Sequence, residues 1–290
     1  MTNNNKPDIE IPDSLDMVIA MDGWIDAGYA AATAAKTLTD VTASEVIYTF
    51  DPDTFLDCRE RRPRVKIKNG IPTSITWTPP VIKFSSDSAG QCVLLLTGPE
   101  PDYRWQEFAG EILKIIERHR VRRLIGLGAF PFAWPHTRQI RVIATGSDIE
   151  LIDKIGYLNG EIDAPASVTD VIGQRCKDLA GLDFINLWAQ VPHYVSNMYY
   201  PQAALALLDV LTRLCSLQLD LTQLREEANQ LSLQLNNLIS ASDEHYEMVR
   251  NLEEQVDVED DEFNPSYENL PSGDEIAAEL ERYLRGETNG

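Results

Sequence analysis

Cysteine, histidine and positive charge are all scarce in this chain of 290 residues, and each shortage removes a class of function. The four cysteines, Cys58, Cys92, Cys176 and Cys215, stand far apart with no C-x-x-C pair. That spacing speaks against a zinc knuckle or a redox dithiol and reads as buried free thiols in a reducing, cytoplasmic compartment. The four histidines show neither H-x-x-x-H nor H-x-x-E spacing, so no metal site is expected. Lys and Arg number 25 against 46 Asp and Glu, a net charge of −21 that would repel phosphate. Neither nucleic acid nor an anionic membrane surface is an expected partner. No apolar run approaches the roughly 20 residues that span a bilayer. The opening stretch MTNNNKPDIEIPDSLD is polar and acidic, unlike a signal peptide. There is no G-x-S-x-G nucleophile elbow and no G-x-x-x-x-G-K-[ST] loop. Gly126-Leu-Gly128 runs into Phe130-Pro131 and meets no third glycine, which argues against a dinucleotide cofactor. No cofactor is expected.

What is present is an alternation of short apolar runs and helix-forming stretches. Met17–Met21, Glu45–Phe50, Cys92–Thr97, Arg123–Gly128, Ile140–Thr145 and Phe184–Ala189 read as strands. Helices are expected after Asp26, which is placed as a cap, from about Asp102 to Arg118, from Ser167 to about Leu179, and over residues 201–215. This order predicts an α/β fold, a mainly parallel sheet covered by helices on both faces. Residues 64–84 alternate in polarity and carry Asn69-Gly70, so they are expected to form a projecting β-hairpin. The basic run Arg59–Lys68 at its start fits a solvated strand face or an oligomer contact.

After Tyr200 the pattern changes. Leu217, Leu221, Leu224, Ala228, Leu231, Leu235 and Leu238 follow a 4-3-4-3 spacing, and the same register takes in Ser242, His245, Val249, Leu252 and Val256. Such a seam needs a partner surface, and a helical arm folded over its own core is the expected arrangement. The division is therefore a core over 1–215 and a helical lid or arm over 216–290. An acidic link at 257–269 and a last short helix at about 271–284 complete the arm. Of the net charge, −11 falls in residues 253–290.

In an open parallel sheet, ligands bind beyond the carboxyl ends of the strands, where the loops converge. Four loops there carry functional side chains. The first holds Asp22, Gly23, Trp24, Asp26 and Gly28, and the second Glu100, Asp102, Arg104 and Trp105. The third holds His136 and Arg138, and the fourth His193 and Tyr194. Asp22 and Asp26 would repel phosphate, so a cationic or hydroxyl-rich group suits the first loop. Each residue also has a structural reading: Asp26 and Asp102 as helix caps, Gly23 and Gly28 as turn formers, and His136 and His193 as carbonyl-bonded histidines. Glu100 has no evident structural duty. His119 sits at a helix end, where the dipole favours a cation, and His245 on the seam as a packing position.

The segments GWIDAGYA (23–30), TGPEPDYRW (97–105), PHTR (135–138) and VPHY (191–194), in that order, resemble the proteasome assembly chaperone 2 family over roughly residues 15–215. The stretch LPSGDEIAAELERYL (270–284) looks like the longer bacterial branch of that family. The resemblance implies a three-layer α/β/α core of the phosphorylase/hydrolase-like kind. It also implies a hairpin arm used in oligomerisation, as a trimer, and a helical C-terminal segment over the pocket. Proteasome-docking eukaryotic relatives end in hydrophobic-Tyr-X. Here Tyr283 is internal and the chain ends Gly-Glu-Thr-Asn-Gly290, and the first loop lacks the phosphate-binding basic residues of a phosphorylase.

Two main functions follow. One is an oligomeric ligand-binding or adaptor protein, whose partner is a small ligand or another protein. The other is a hydrolase or transferase for a small polar metabolite. There Glu100 or His193 is the base, and His136 with Arg138 stabilises negative charge. Assembly of other proteins is a third reading.

Overall fold

The structure, a computed structural model, describes residues 11–23, 25–177, 179 and 182–259. Trp24 and the helix expected at 271–284 lie outside the described residues.

The chain alternates β1 (Asp16–Asp22), α1 (Ala30–Val41), β2 (Ala43–Thr49), α2 (Pro52–Phe55), β3 (Arg64–Lys68), β4 (Ile71–Thr76), β5 (Val81–Ser86) and β6 (Cys92–Pro99). It continues with α3 (Trp105–Arg118), β7 (Arg123–Phe132), β8 (Val142–Gly146), α4 (Ile149–Ile155), α5 (Val168–Cys176) and β9 (Asp183–Pro192). Three further helices follow, α6 (Pro201–Cys215), α7 (Thr222–Ser240) and α8 (Asp243–Glu259).

Seven strands form one sheet in the order β2-β5-β6-β1-β7-β9-β8. The central four, β6, β1, β7 and β9, are mutually parallel, while β5 and β8 run against their neighbours. Because β2 is antiparallel to β5, it points the same way as the centre. The mainly parallel α/β/α architecture expected from the sequence is what forms.

Both faces are buried, which is why the strands read as unbroken apolar runs. Along β1, Met17, Ile19 and Met21 enter an apolar cluster with α3 and α5, while Val18 and Ala20 enter the cluster with α1 and α6. Leu224, Leu235 and Val256 of α7 and α8 belong to that second cluster, so the last two helices lie over the α1–α6 layer. Among the described residues, no helix is long and apolar enough to cross a membrane.

Three local expectations are corrected. The projecting hairpin is shorter than 64–84: β3 and β4 make a separate two-stranded sheet, and residues 81–86 join the main sheet as β5. Asn69 (φ 51°) and Gly70 (φ 77°) make the turn, both in the left-handed region that tight hairpins require. Next, the helical arm expected along the seam is divided into two helices, α7 and α8. Leu217 and Leu221 precede α7, the chain turns at Ala241–Ser242, and the buried stripe shifts so that Ile239 is covered and Leu238 exposed. A helical period of 3.6 drifts against a strict heptad, which moves the buried stripe along the helix. Finally, the helix expected to reach Leu179 ends at Cys176.

Candidate functional site

The four loops expected at the rim follow the four parallel strands, and backbone hydrogen bonds stitch them together. Glu100 N–H donates to the Asp22 carbonyl (2.9 Å), Gly28 N–H to Ser196 (2.6 Å) and Tyr200 N–H to Gly28 (3.0 Å). Gly28 has φ 69°, and an added Cβ would lie 2.9 Å from Tyr200 Cβ, so its lack of a side chain is needed twice over. Asp26 accepts from the N–H groups of Ala31 (2.6 Å) and Ala32 (3.1 Å) and thus caps α1 as read from sequence. Burial still holds its carboxyl above the ordinary value against those two bonds. Asp22 is raised for the same reason, offset in part by Arg61, although some of its surface is open.

On the α5 side of the sheet the rim encloses a small cavity of about 30 Å³. Glu100, Ser167, Thr169, Asn186 and Trp188 line it, with Met21, Gly23, Ile25 and Leu127 behind them. Glu100 does have a structural duty, contrary to the sequence reading: its Oε1 accepts the N–H of Val168 at the first turn of α5. Burial raises its carboxyl above the ordinary value against that bond. Asn186 is buried within β9 and donates from Nδ2 to Asp170 Oδ1 (3.0 Å). Asp170 in turn closes a capping box with Ser167.

Asp102 does not cap α3. Its carboxylate accepts from Asp57 N–H (2.7 Å) and pairs with Arg61, while Arg104 takes the cap position in the left-handed region with no side-chain cap bond. Tyr103 donates from its hydroxyl to Asp57 Oδ2 (2.8 Å). The Arg59 backbone N–H, the Tyr103 hydroxyl and the Arg59 side chain hold the Asp57 carboxyl down at about 2. The basic run before the hairpin is therefore partly a clamp that fixes the base of the arm to the rim. Arg104 pairs with Glu107 (2.6 Å), and Trp105 Nε1 donates to the Pro101 carbonyl (2.5 Å).

A second group lies where α7 meets the rim. The Tyr194 hydroxyl accepts from His136 N–H (2.7 Å) and faces His136 Nδ1 at 2.8 Å, and Nε2 of the same ring faces Asn236 Oδ1 at 3.1 Å. These roles fit one tautomer only: Tyr194 donates to Nδ1, and Nε2–H donates to Asn236. His136 is buried, and desolvation lowers its pKa from the usual imidazole value. Thr137 donates to Glu253, and Arg138 lies 3.8 Å from that carboxylate. His193 packs edge-on against Tyr194, ring centroids 5.3 Å apart. His136 thus fastens the helical arm to the rim.

A depressed imidazole pKa sets the sign of a pH effect. The unfolded chain takes up the proton first, so this contribution is complete above pH 6.5 and falls away as pH drops towards the folded value. The His136 contribution should therefore rise between pH 5 and 7, and the difference in stability between wild type and His136→Ala should grow over that range. The same substitution leaves the Tyr194 hydroxyl proton without its imidazole acceptor and Asn236 Oδ1 without its donor, at a cost of about 1–3 kcal/mol. Urea unfolding across this pH range checks both.

Of the expected site residues, Asp22, Gly23, Asp26, Gly28, Glu100 and Asp102 cluster around the first two loops, and His136, Arg138, His193 and Tyr194 around the arm. Glu100 bonds to α5 on one face of the sheet, and His136 to α7 over the other. Asn186, Thr169 and Trp188 were missed. The signal for them was Gly126-Leu-Gly128: an added Cβ would meet Asn186 Oδ1 at 1.9 Å and the Trp188 ring at 2.4 Å. Those glycines make room for large neighbours on β9. The larger cavity, about 370 Å³ between α4, β8 and α6, is lined by none of the expected residues.

Fold and rim together define an α/β protein with a mainly parallel seven-stranded sheet, a separate two-stranded hairpin and a helical C-terminal region. The PAC2 family model matches residues 20–239, and the chain belongs to the PAC2 family. No curated protein matches the sequence. A Mycobacterium tuberculosis protein of unknown function is similar at 34% identity, with 86% of this chain and 87% of that one covered and a TM-score of 0.79. A Mycobacterium tuberculosis protein described as a proteasome-assembly chaperone homologue is 28% identical, covering 81% of this chain and 100% of that one (TM-score 0.74). A PAC2 family protein from Streptomyces avermitilis is 31% identical, with the same coverage and a TM-score of 0.71.

Proposed function

We propose that this protein is an oligomeric binding protein, whose copies associate through the hairpin arm and whose rim recognises a ligand or a partner protein. The observation that carries this reading is the hairpin itself. Val65, Ile67, Ile71 and Ile75 are between 51% and 67% exposed on a two-stranded sheet outside the main one. An isolated two-stranded hairpin is marginal in water, and such aliphatic exposure marks a contact surface. Val65 and Ile75 are cross-strand partners, so the arm offers a ready apolar patch.

The rim supports recognition more than catalysis. His136 is engaged at both ring nitrogens, Asp26 caps α1 and Glu100 holds α5. A base or nucleophile in those positions would have to leave a structural post. The likeness to a protein described as a proteasome-assembly chaperone homologue favours a protein partner over a metabolite. In this reading residues 1–215 are the binding core, residues 216–290 the arm over it, the assembly a trimer and the compartment the cytoplasm.

Light scattering on the purified protein tests the proposal. The wild type is expected above the 32.6 kDa of one chain, and Ile67→Asp combined with Ile75→Asp at the mass of one chain with an unchanged melting temperature. A wild type that stays at one-chain mass across the micromolar range would overturn it.

A further inference from the structure

The open groove of about 370 Å³ between α4, β8 and α6 has a composition that the fold itself does not use. α4 has 7 residues and α6 has 15, roughly 10 Å and 22 Å at the helical rise, so α4 is too short to cover the flank of α6 from end to end. Ala206, Val210 and Leu214 recur every fourth residue of α6 and lay a half-buried apolar stripe along the groove. The buried Ile140 and Val142 line it from the sheet side. Asp209 and Arg213, also four residues apart, flank the stripe on α6, and Lys154 stands on the α4 wall.

The acid among these residues is already engaged, since Asp209 Oδ1 accepts from Arg225 of α7 at 2.9 Å. Among the described residues, neither Lys154 nor Arg213 has an ion pair or a side-chain hydrogen bond. Both stand in the last turn of their helices, where a cation complements the carbonyl end, but that duty leaves their N–H donors uncommitted. Two uncommitted cations beside one apolar stripe stand out in a chain of net charge −21, whose overall field repels anions. The carbonyl ends of both helices disfavour a dianion, and the stripe favours hydrocarbon, so the fitting ligand is a monoanion with an apolar body. A volume of this size, lined mainly by apolar side chains with a few charged ones, is within the range of small-molecule sites. We propose that this groove binds a small apolar monocarboxylate, its body along Val210 and Leu214 and its carboxylate met by Arg213 and Lys154. The guanidinium fork suits the two oxygens of such a group. The groove shares no lining residue with the rim cavity or the hairpin, so the proposal stands apart from how copies of the chain associate.

Isothermal titration of the full chain with sodium octanoate tests it, with octanamide as the neutral probe and sodium acetate as the probe without a body. Octanoate is expected to bind saturably, one per chain, octanamide at least about tenfold more weakly, and acetate without saturation. Lys154→Gln combined with Arg213→Gln should weaken octanoate by about the same factor, and because both side chains are exposed the melting temperature should not change. Ala206→Phe, which fills the stripe and keeps both cations, should abolish binding. In the wild type, octanoate should also shift the methyl resonances of Val210 and Leu214. The absence of saturable octanoate binding overturns the proposal, as does octanamide binding equally well or an unchanged octanoate affinity in the double variant. If Ala206→Phe does not fold, the wild-type resonances decide: saturable shifts at Val210 and Leu214 support the groove, and saturable shifts only elsewhere overturn it.

Discussion

Gly126→Ala is expected to cost about 3 kcal/mol, a fall of roughly 6–12 °C in melting temperature for a domain of this size. The new Cβ would lie 1.9 Å from Asn186 Oδ1 and 2.8 Å from Thr169 Cγ2. Neither neighbour can retreat cheaply. Moving Asn186 breaks its bond to Asp170, and moving Thr169 disturbs the capped first turn of α5. Forcing an atom into a filled core costs about 1–3 kcal/mol, and a broken buried hydrogen bond adds about 1–3 more. Gly110→Ala is the control. It lies inside α3 with nothing within 4 Å of the added Cβ, and alanine there should stabilise by about 0.5–1 kcal/mol. Scanning calorimetry on the two variants gives opposite signs if the packing argument holds. A fall of less than a degree in Gly126→Ala would contradict it.

Phe108→Ala is expected to cost about 3–5 kcal/mol, the range for removing a fully buried aromatic ring. Phe108 is 0% exposed, with its ring centroid 4.4 Å from that of Phe50 and 5.3 Å from that of Phe55. These three rings join α3, the end of β2 and α2 in one cluster. The effect should also reach the arm, because the Phe55 carbonyl accepts from the N–H groups of Asp102 (2.8 Å) and Tyr103 (3.2 Å). Loss of the ring therefore loosens the clamp at the hairpin base as well as the core. Guanidinium unfolding should show a lower midpoint with an unchanged slope. A loss below about 1 kcal/mol would mean that the surrounding rings collapse into the space.

Much of the fold was legible in the sequence because burial on both faces writes itself as apolar runs. Cys92–Thr97 and Arg123–Gly128 needed no further information. Strand direction was less visible: nothing in Val81–Ser86 distinguishes the outer arm of a hairpin from an antiparallel strand of the main sheet. Only pairing with β6 across the loop decides it. The heptad spacing correctly announced helices that need a partner, but the break at Ala241–Ser242 depends on how far the core extends beneath them.

The rim was legible as a set of loops and less so as a set of roles. Asp26 followed from capping rules, whereas Asp102 broke them, because its partners Asp57 and Arg61 come from a distant segment. Glu100 lacked a duty only while α5 was not yet placed beside it. Asn186 was hidden in a strand read for its apolar neighbours, although a polar residue in that run and two glycines across from it carried the signal.

Amide hydrogen exchange over residues 64–76 tests the central claim most directly. If the hairpin is buried against another copy of the chain, its ladder amides should exchange at least about a hundredfold more slowly than in an unfolded chain. That protection should fade on dilution and in the Ile67→Asp/Ile75→Asp variant. Unprotected hairpin amides at every concentration, beside a well-protected main sheet, would contradict an arm built for association.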